Sequence, residues 1–219
     1  MVERLVTQRY RPLALDLRGH GDAAHARPVS PSACTADVLA ATAGRFALCG
    51  YSLGGRVALH VALAAPERVT RLVLLAATAG ICDPSERAAR RQADETLAAG
   101  IERGTIEAFA DRWMAQPLFA GTAPEVVAAW RADLARNEPG GLAAALRGLG
   151  AGVMAPLWDR LPAVDVPATV VAGERDPKYV ALAERLAAAL PRAELVVVPG
   201  AGHGLAREAP DAVARLLES

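Results

Sequence analysis

The chain has 219 residues, no formal net charge, and 24 basic residues of which only Lys178 is lysine. That length carries one or two compact domains with a real core, and the charge balance gives no electrostatic basis for nucleic acid or an anionic membrane as partner. Cys34, Cys49 and Cys82 are scattered without metal-ligand spacing, which fits a reducing, cytoplasmic setting and a site with no metal. The first residues carry charges instead of an apolar signal core, and the longest apolar run, 72–82, is too short to span a bilayer.

In chain order, residues 12–17 (PLALDL) read as a buried strand, ended by Arg18-Gly19-His20-Gly21-Asp22. His20 suits loop stabilisation better than catalysis. Residues 32–43 read as a short helix. Residues 45–49 (RFALC) have strand character and 56–63 helical character, so Gly50-Tyr51-Ser52-Leu53-Gly54 falls on a strand-to-helix turn. Gly-x-Ser-x-Gly requires that setting. It strains the Ser52 backbone, uses Gly50 and Gly54 to let strand and helix approach, and aims the Leu53 amide from a helix N-terminus, where negative charge is favoured. Residues 71–76 form a third strand. Apolar strands alternating with helices predict an α/β fold, with a parallel sheet covered on both faces.

The rhythm changes after Ala79. Helices are expected at 84–99, 105–114, 124–136 and 141–149, with Ile106, Phe109, Ala110 and Trp113 on one stripe of the second. Residues 80–155 thus read as a helical lid inserted into a core made of 1–79 and 156–219. The core resumes with a strand at 168–173, a helix at 177–190, a strand at 194–198 and a closing helix at 206–217.

A neutral serine needs an adjacent imidazole to become a nucleophile or base. His203 lies in the loop after the last strand, at the carboxyl edge where Ser52 also emerges. His60, two turns into the helix after Ser52, suits packing, and His25 sits in a loop without an apolar anchor. The imidazole in turn needs a carboxylate. Asp176 follows the 168–173 strand at the same edge; Glu174 is the rival, and Asp165 precedes that strand, at the wrong end.

The order Ser52, Asp176, His203 resembles the triad of the α/β-hydrolase superfamily, over nearly the whole chain. More narrowly, the chain resembles the 2-succinyl-6-hydroxy-2,4-cyclohexadiene-1-carboxylate synthase family of menaquinone biosynthesis. The carrying stretches are 50–56 (GYSLGGR), 86–94 (ERAARRQAD), 113–119 (WMAQPLF), 142–150 and 173–176 (GERD); those in the lid discriminate. The resemblance implies an α/β-hydrolase fold and a cofactor-free lyase that expels pyruvate from a cyclohexene bearing several carboxylates. Ser52, activated by His203 and oriented by Asp176, would remove a ring proton, with the Leu53 amide as oxyanion donor. A small anionic carboxylate substrate calls for cations. Arg56 stands one turn beyond Ser52, and Arg90 is carried over from the lid run, where Arg87 or Arg91 could replace it. Trp113 matches a family pocket residue, Met114 stands where the family often has tyrosine, and a further family arginine falls at Arg131 or Arg136. The alternatives are a hydrolase of esters or carbon–carbon bonds and a non-catalytic binding protein. Oligomeric state is left open, with a slight preference for a monomer.

The resemblance also implies N-terminal strands, one ending in a His-Gly-aromatic loop that supplies a second oxyanion donor. That strand would lie between the 13–17 strand and the nucleophile strand. This chain begins after it, with residues 1–9 reading as the tail of a helix, so the expected sheet has a gap at its centre. Unpaired buried backbone groups cost about 1–3 kcal/mol each. The preferred account is a misassigned start; a fragment, or a sheet that closes up with altered pairing, are the others.

Overall fold

The computed structural model describes residues 11–218; the expected helix tail at 1–9 lies outside them. Four parallel strands lie side by side in chain order: β1 (Phe46–Tyr51), β2 (Val69–Leu75), β3 (Ala168–Gly173) and β4 (Ala193–Val198). Parallel neighbours need crossovers. Helix α2 (Leu53–Ala64) lies on the connection from β1 to β2, and α7 (Pro177–Ala189) on that from β3 to β4. Before β1 comes α1 (Pro31–Ala41), started by Ser30, whose Oγ accepts the Ala33 N–H. After β4 come α8 (Leu205–Glu208) and α9 (Pro210–Glu218).

Strand side chains alternate between faces, and the inner strands show it. Leu72, Leu74, Val170 and Ala172 pack with Val38 of α1, Leu59 of α2 and Leu186 of α7. Val73, Leu75 and Val171 pack on the other face with Leu205 of α8 and Val213 of α9. The outer strands are less well covered: Cys49 in β1 and Leu195 and Val197 in β4 are exposed.

Two expectations need correction. Residues 12–17 are not a buried strand; they form no ladder, and Leu13 and Leu15 are 59% and 40% exposed. An extended segment becomes a strand only where a neighbour takes its N–H and C=O groups, and among the described residues none lies beside this one. Only Leu17 of the run packs onto the core. No gap therefore interrupts the described sheet, in which β1 is an edge strand. The closing helix is also two helices, because Pro210 has no N–H to continue the first.

Between β2 and β3 run α3 (Pro84–Arg103), α4 (Ile106–Met114), α5 (Pro124–Leu134) and α6 (Pro139–Leu149). Three of these start at proline, whose fixed φ suits the first turn. Asp83 caps α3 by accepting the Glu86 N–H at 2.8 Å, and Thr105 caps α4 through Ala108. Ile101, Phe109 and Leu142 form a core of their own, joined by Leu97, Ile106, Trp113 and Leu146. No helix among the described residues is long and apolar enough to cross a membrane.

The turn from β1 into α2 is tight for a reason only partly anticipated. A Cβ on Gly50 would overlap the Gly54 carbonyl, and one on Gly55 would lie 2.5 Å from the Ala77 Cβ, whereas one on Gly54 would meet nothing within 4 Å. The close approach thus depends on Gly50 and Gly55, and not on Gly54. Thermal denaturation should show it: Gly50→Ala and Gly55→Ala each destabilise by about 1–3 kcal/mol through overpacking, while Gly54→Ala is neutral or stabilising by about 0.4–1 kcal/mol.

His60 in α2 leaves Nε2 buried without a hydrogen-bond partner. Burial first, then the charges of Arg160 and Arg56, lower its pKa. The unfolded chain therefore binds this proton more tightly, so the histidine's contribution to stability is complete above the free imidazole value of about 6.5 and is lost as pH falls towards the folded value. Denaturant titrations between about pH 7.5 and 5 should show a shallower acid-side loss in His60→Leu than in the parent.

Candidate active site

Ser52 joins β1 to α2 with φ 50° and ψ −108°, a backbone region that non-glycine residues rarely occupy. Its N–H donates to the Leu75 carbonyl of β2 at 2.8 Å, which pins the strained residue to the sheet. The hydroxyl is thereby raised at the carboxyl edge. Leu53 follows as the first residue of α2, so its N–H lacks an acceptor within the helix and is available to an anion beside Ser52.

His203 and Asp176 arrive from the loops after β4 and β3. The His203 Nδ1 is 2.8 Å from Asp176 Oδ2, and Nε2 is 3.3 Å from Ser52 Oγ. His203 is 2% exposed and Asp176 6%. Asp176 is also the N-cap of α7, where its Oδ1 accepts the Tyr179 N–H. A carboxylate beside Nδ1 sets that nitrogen as the donor, which leaves the Nε2 lone pair for the serine proton. Of the rivals, Glu174 accepts the Gly200 N–H at 2.8 Å, and Asp165 faces Arg192 at 3.8 Å before β3. His25 is exposed, and His20 has its Nδ1 buried without a partner and its pKa lowered by burial.

Three rings enclose the imidazole: Tyr179 at 4.4 Å between centroids, Tyr51 at 5.5 Å and Phe119 at 6.1 Å. Phe119 comes from the inserted helices, as does Trp130, which lies 5.9 Å from Tyr51. Burial raises the pKa of both tyrosines; for Tyr179 the Arg56 and Arg90 charges pull the other way. Sequence reasoning missed this enclosure. Tyr179 was within reach of it, since it follows the Asp176 cap by three residues at the active edge. Phe119 was not, because its place depends on how the insertion folds.

Arg56 is 9% exposed. Its Nη2 donates to the Leu149 carbonyl of α6 at 2.8 Å, and its Nε has no partner. Burial pulls its pKa down to about 10, with Tyr179 and Asp94 opposing and Arg90 adding to the fall. It stays cationic at neutral pH, with a donor unused. Arg90 donates from Nε to Asp94 at 2.8 Å and is 43% exposed. Both arginines act electrostatically on Tyr179, which contacts the triad. Arg91 is spent on the Gly152 carbonyl.

Other expected site residues lie elsewhere. Trp113 packs in the insertion's core, 5.6 Å from Phe109, and adds no ring to the described cluster around His203. Arg131 pairs with Asp111 and lines a surface groove with Glu107 and Ala110. Arg136 is exposed and faces Asp133 at 3.9 Å. Met114 is buried at the end of α4. Among the described residues no group of three or more His, Cys, Asp or Glu could hold a metal ion.

Comparison with known proteins agrees with this architecture. Residues 2–216 match the alpha/beta hydrolase family. A 2-succinyl-6-hydroxy-2,4-cyclohexadiene-1-carboxylate synthase of Enterobacter sp. (strain 638) is 34% identical over 212 residues, 95% of this chain and 80% of that protein. A Bacillus subtilis (strain 168) protein assigned the same activity is 39% identical over 166 residues, which span 74% of this chain and 61% of its own length. The solved structure of MenH from S. aureus superposes with a TM-score of 0.86 at 29% identity, covering 93% of this chain and 80% of that one. The chain belongs to the alpha/beta hydrolase family and, within it, to the group of these synthases.

Proposed function

We propose that the chain is a lyase of menaquinone biosynthesis, which eliminates pyruvate from a succinyl-enolpyruvyl-cyclohexene carboxylate to give 2-succinyl-6-hydroxy-2,4-cyclohexadiene-1-carboxylate. The observation that carries this reading is a serine–histidine–aspartate relay with a buried arginine one helical turn away. A hydrolase has no general need of that cation. A substrate with several carboxylates does.

The geometry suggests the following steps. His203 Nε2 draws the proton from the Ser52 hydroxyl, and the oxygen so activated takes a proton from the ring. The C–H electrons become the second ring double bond, and the ether C–O bond breaks. Enolpyruvate leaves, takes a proton by way of His203, and becomes pyruvate. Asp176 stabilises the imidazolium formed in between. The Leu53 amide faces the negative charge that builds up beside Ser52. Arg56 and Arg90 hold carboxylates, Arg90 by exchanging Asp94 for the substrate. Helices α3 to α6 act as the lid, with Phe119 and Trp130 keeping water from the imidazole.

A serine hydrolase is the second reading, because the same relay serves acyl transfer. The two part company on products. On the cyclohexene substrate, pyruvate formation followed through lactate dehydrogenase should be rapid. Ser52→Ala should lower kcat by about 10³-fold or more, and Asp176→Asn by about 10³–10⁴-fold through the wrong tautomer. Chromogenic-ester turnover with a burst, and no pyruvate, would replace the lyase by a hydrolase.

The arginines give a separate test. Arg56→Met should lower kcat/KM for the anionic substrate by about 10²-fold, the loss of one buried charge-assisted contact. Labelling of Ser52 by a neutral fluorophosphonate should change little. Unchanged kcat/KM in that variant would remove Arg56 from substrate binding.

A further inference from the structure

Asp176 steadies the His203 ring; a second carboxylate steadies the backbone that carries it. Glu208, the last residue of α8, has a side chain 5% exposed. Its Oε2 accepts the Gly202 N–H at 2.8 Å and its Oε1 the Gly204 N–H at 3.1 Å, the amides on either side of His203. Oε2 also accepts from Arg175 Nη2, and Oε1 from the Thr122 hydroxyl at 3.3 Å.

Arg175 extends the arrangement. It precedes Asp176 in the chain, donates from Nε to the Gly200 carbonyl at 2.8 Å, and from Nη1 to the Gly121 carbonyl at 2.7 Å. Its own N–H donates to the Ala201 carbonyl at 2.8 Å. Three segments therefore meet at one ion pair: the loop bearing Asp176, the loop bearing His203, and the turn at 120–123 of the inserted helices. A side chain at either glycine joint would push on the ends of this ion pair. A Cβ on Gly121 would lie 2.6 Å from Arg175 Nη1, and one on Gly204 2.8 Å from Glu208 Oε1.

A buried carboxylate is costly unless its lone pairs are filled. Those of Glu208 are filled by two amides, a hydroxyl and a guanidinium, which fixes their relative positions. The contact this protects has little slack: at 3.3 Å the Ser52–His203 pair is near the outer limit of a hydrogen bond. A shift of the 199–204 loop by a few tenths of an ångström would break it.

We infer that Glu208, held by Arg175, is a positioning residue for His203, and that through Thr122 and Gly121 it makes docking of the inserted helices and alignment of the imidazole on Ser52 a single event. This rests on the relay proposed above. The test is the rate at which a neutral fluorophosphonate labels Ser52 in the full chain, measured beside pyruvate release. Glu208→Gln keeps the size but turns one acceptor into a donor facing a backbone N–H. It should slow labelling and kcat by about 10–100-fold, the scale of a misplaced catalytic group, with KM within about threefold, because Arg56 and Arg90 are untouched. Thr122→Val leaves both amides satisfied and cuts only the link to the insertion; it should lower kcat by a smaller factor, about two- to fivefold. A lower thermal midpoint in Glu208→Gln with unchanged labelling and kcat would overturn the inference and leave Glu208 a stabilising residue only. Failure of the parent itself to label would overturn the relay, and this inference with it.

Discussion

The arrangement depends on one contact, the bond from His203 Nδ1 to Asp176 in a place nearly closed to water. An ionised carboxylate so deeply buried has to be compensated by donors. Asp176 receives the imidazole on one oxygen and the first turn of α7 on the other. The helix that carries the acid away from the sheet thus supplies one of the donors that fill its oxygens. The same bond decides which nitrogen of His203 faces Ser52, and so whether the serine can give up its proton at all.

Around that contact the fold is a means of bringing three strand ends to one edge. Parallel strands with helical crossovers place every carboxyl terminus on the same side. Ser52 rides on β1, Asp176 follows β3, and His203 follows β4. β2 contributes no side chain to the relay but supplies the carbonyl of Leu75 that holds Ser52 in its strained state. The inserted helices then bring rings and one backbone carbonyl to this edge: Phe119 near His203, Trp130 near Tyr51, and the Leu149 carbonyl on Arg56.

Much of this was legible in the sequence because it is local. A short apolar run before Gly-x-Ser-x-Gly and a helical run after it define the turn without knowledge of the rest. Asp176 and His203 follow as the acidic and imidazole residues just beyond later strands. Proline at the head of α3, α5 and α6 marks those boundaries. What was not legible depends on neighbours. Residues 12–17 have the composition of a buried strand, but pairing is a property of two segments, and among the described residues there is no second one. Gly54 sits in the motif and Gly55 outside it, yet only the packing of Ala77 shows which of the two needs to lack a side chain. The role of Glu208 was hidden for the same reason: nothing near it in the chain shows that its oxygens reach Gly202, Gly204 and Thr122. Pro210 was in plain view, and its break in the closing helix could have been read.

The burial of Arg56 also has a thermodynamic consequence for the fold. Desolvation depresses its pKa to about 10 and leaves one N–H without an acceptor. The native fold therefore carries an electrostatic deficit at Arg56 that a well-placed oxyanion would relieve. By linkage, whatever binds the native chain in preference to the unfolded one raises resistance to heat, with the logarithm of its concentration once it exceeds its dissociation constant. Small dicarboxylates should therefore act as thermoprotectants of this chain, and monocarboxylates and neutral esters should do so less.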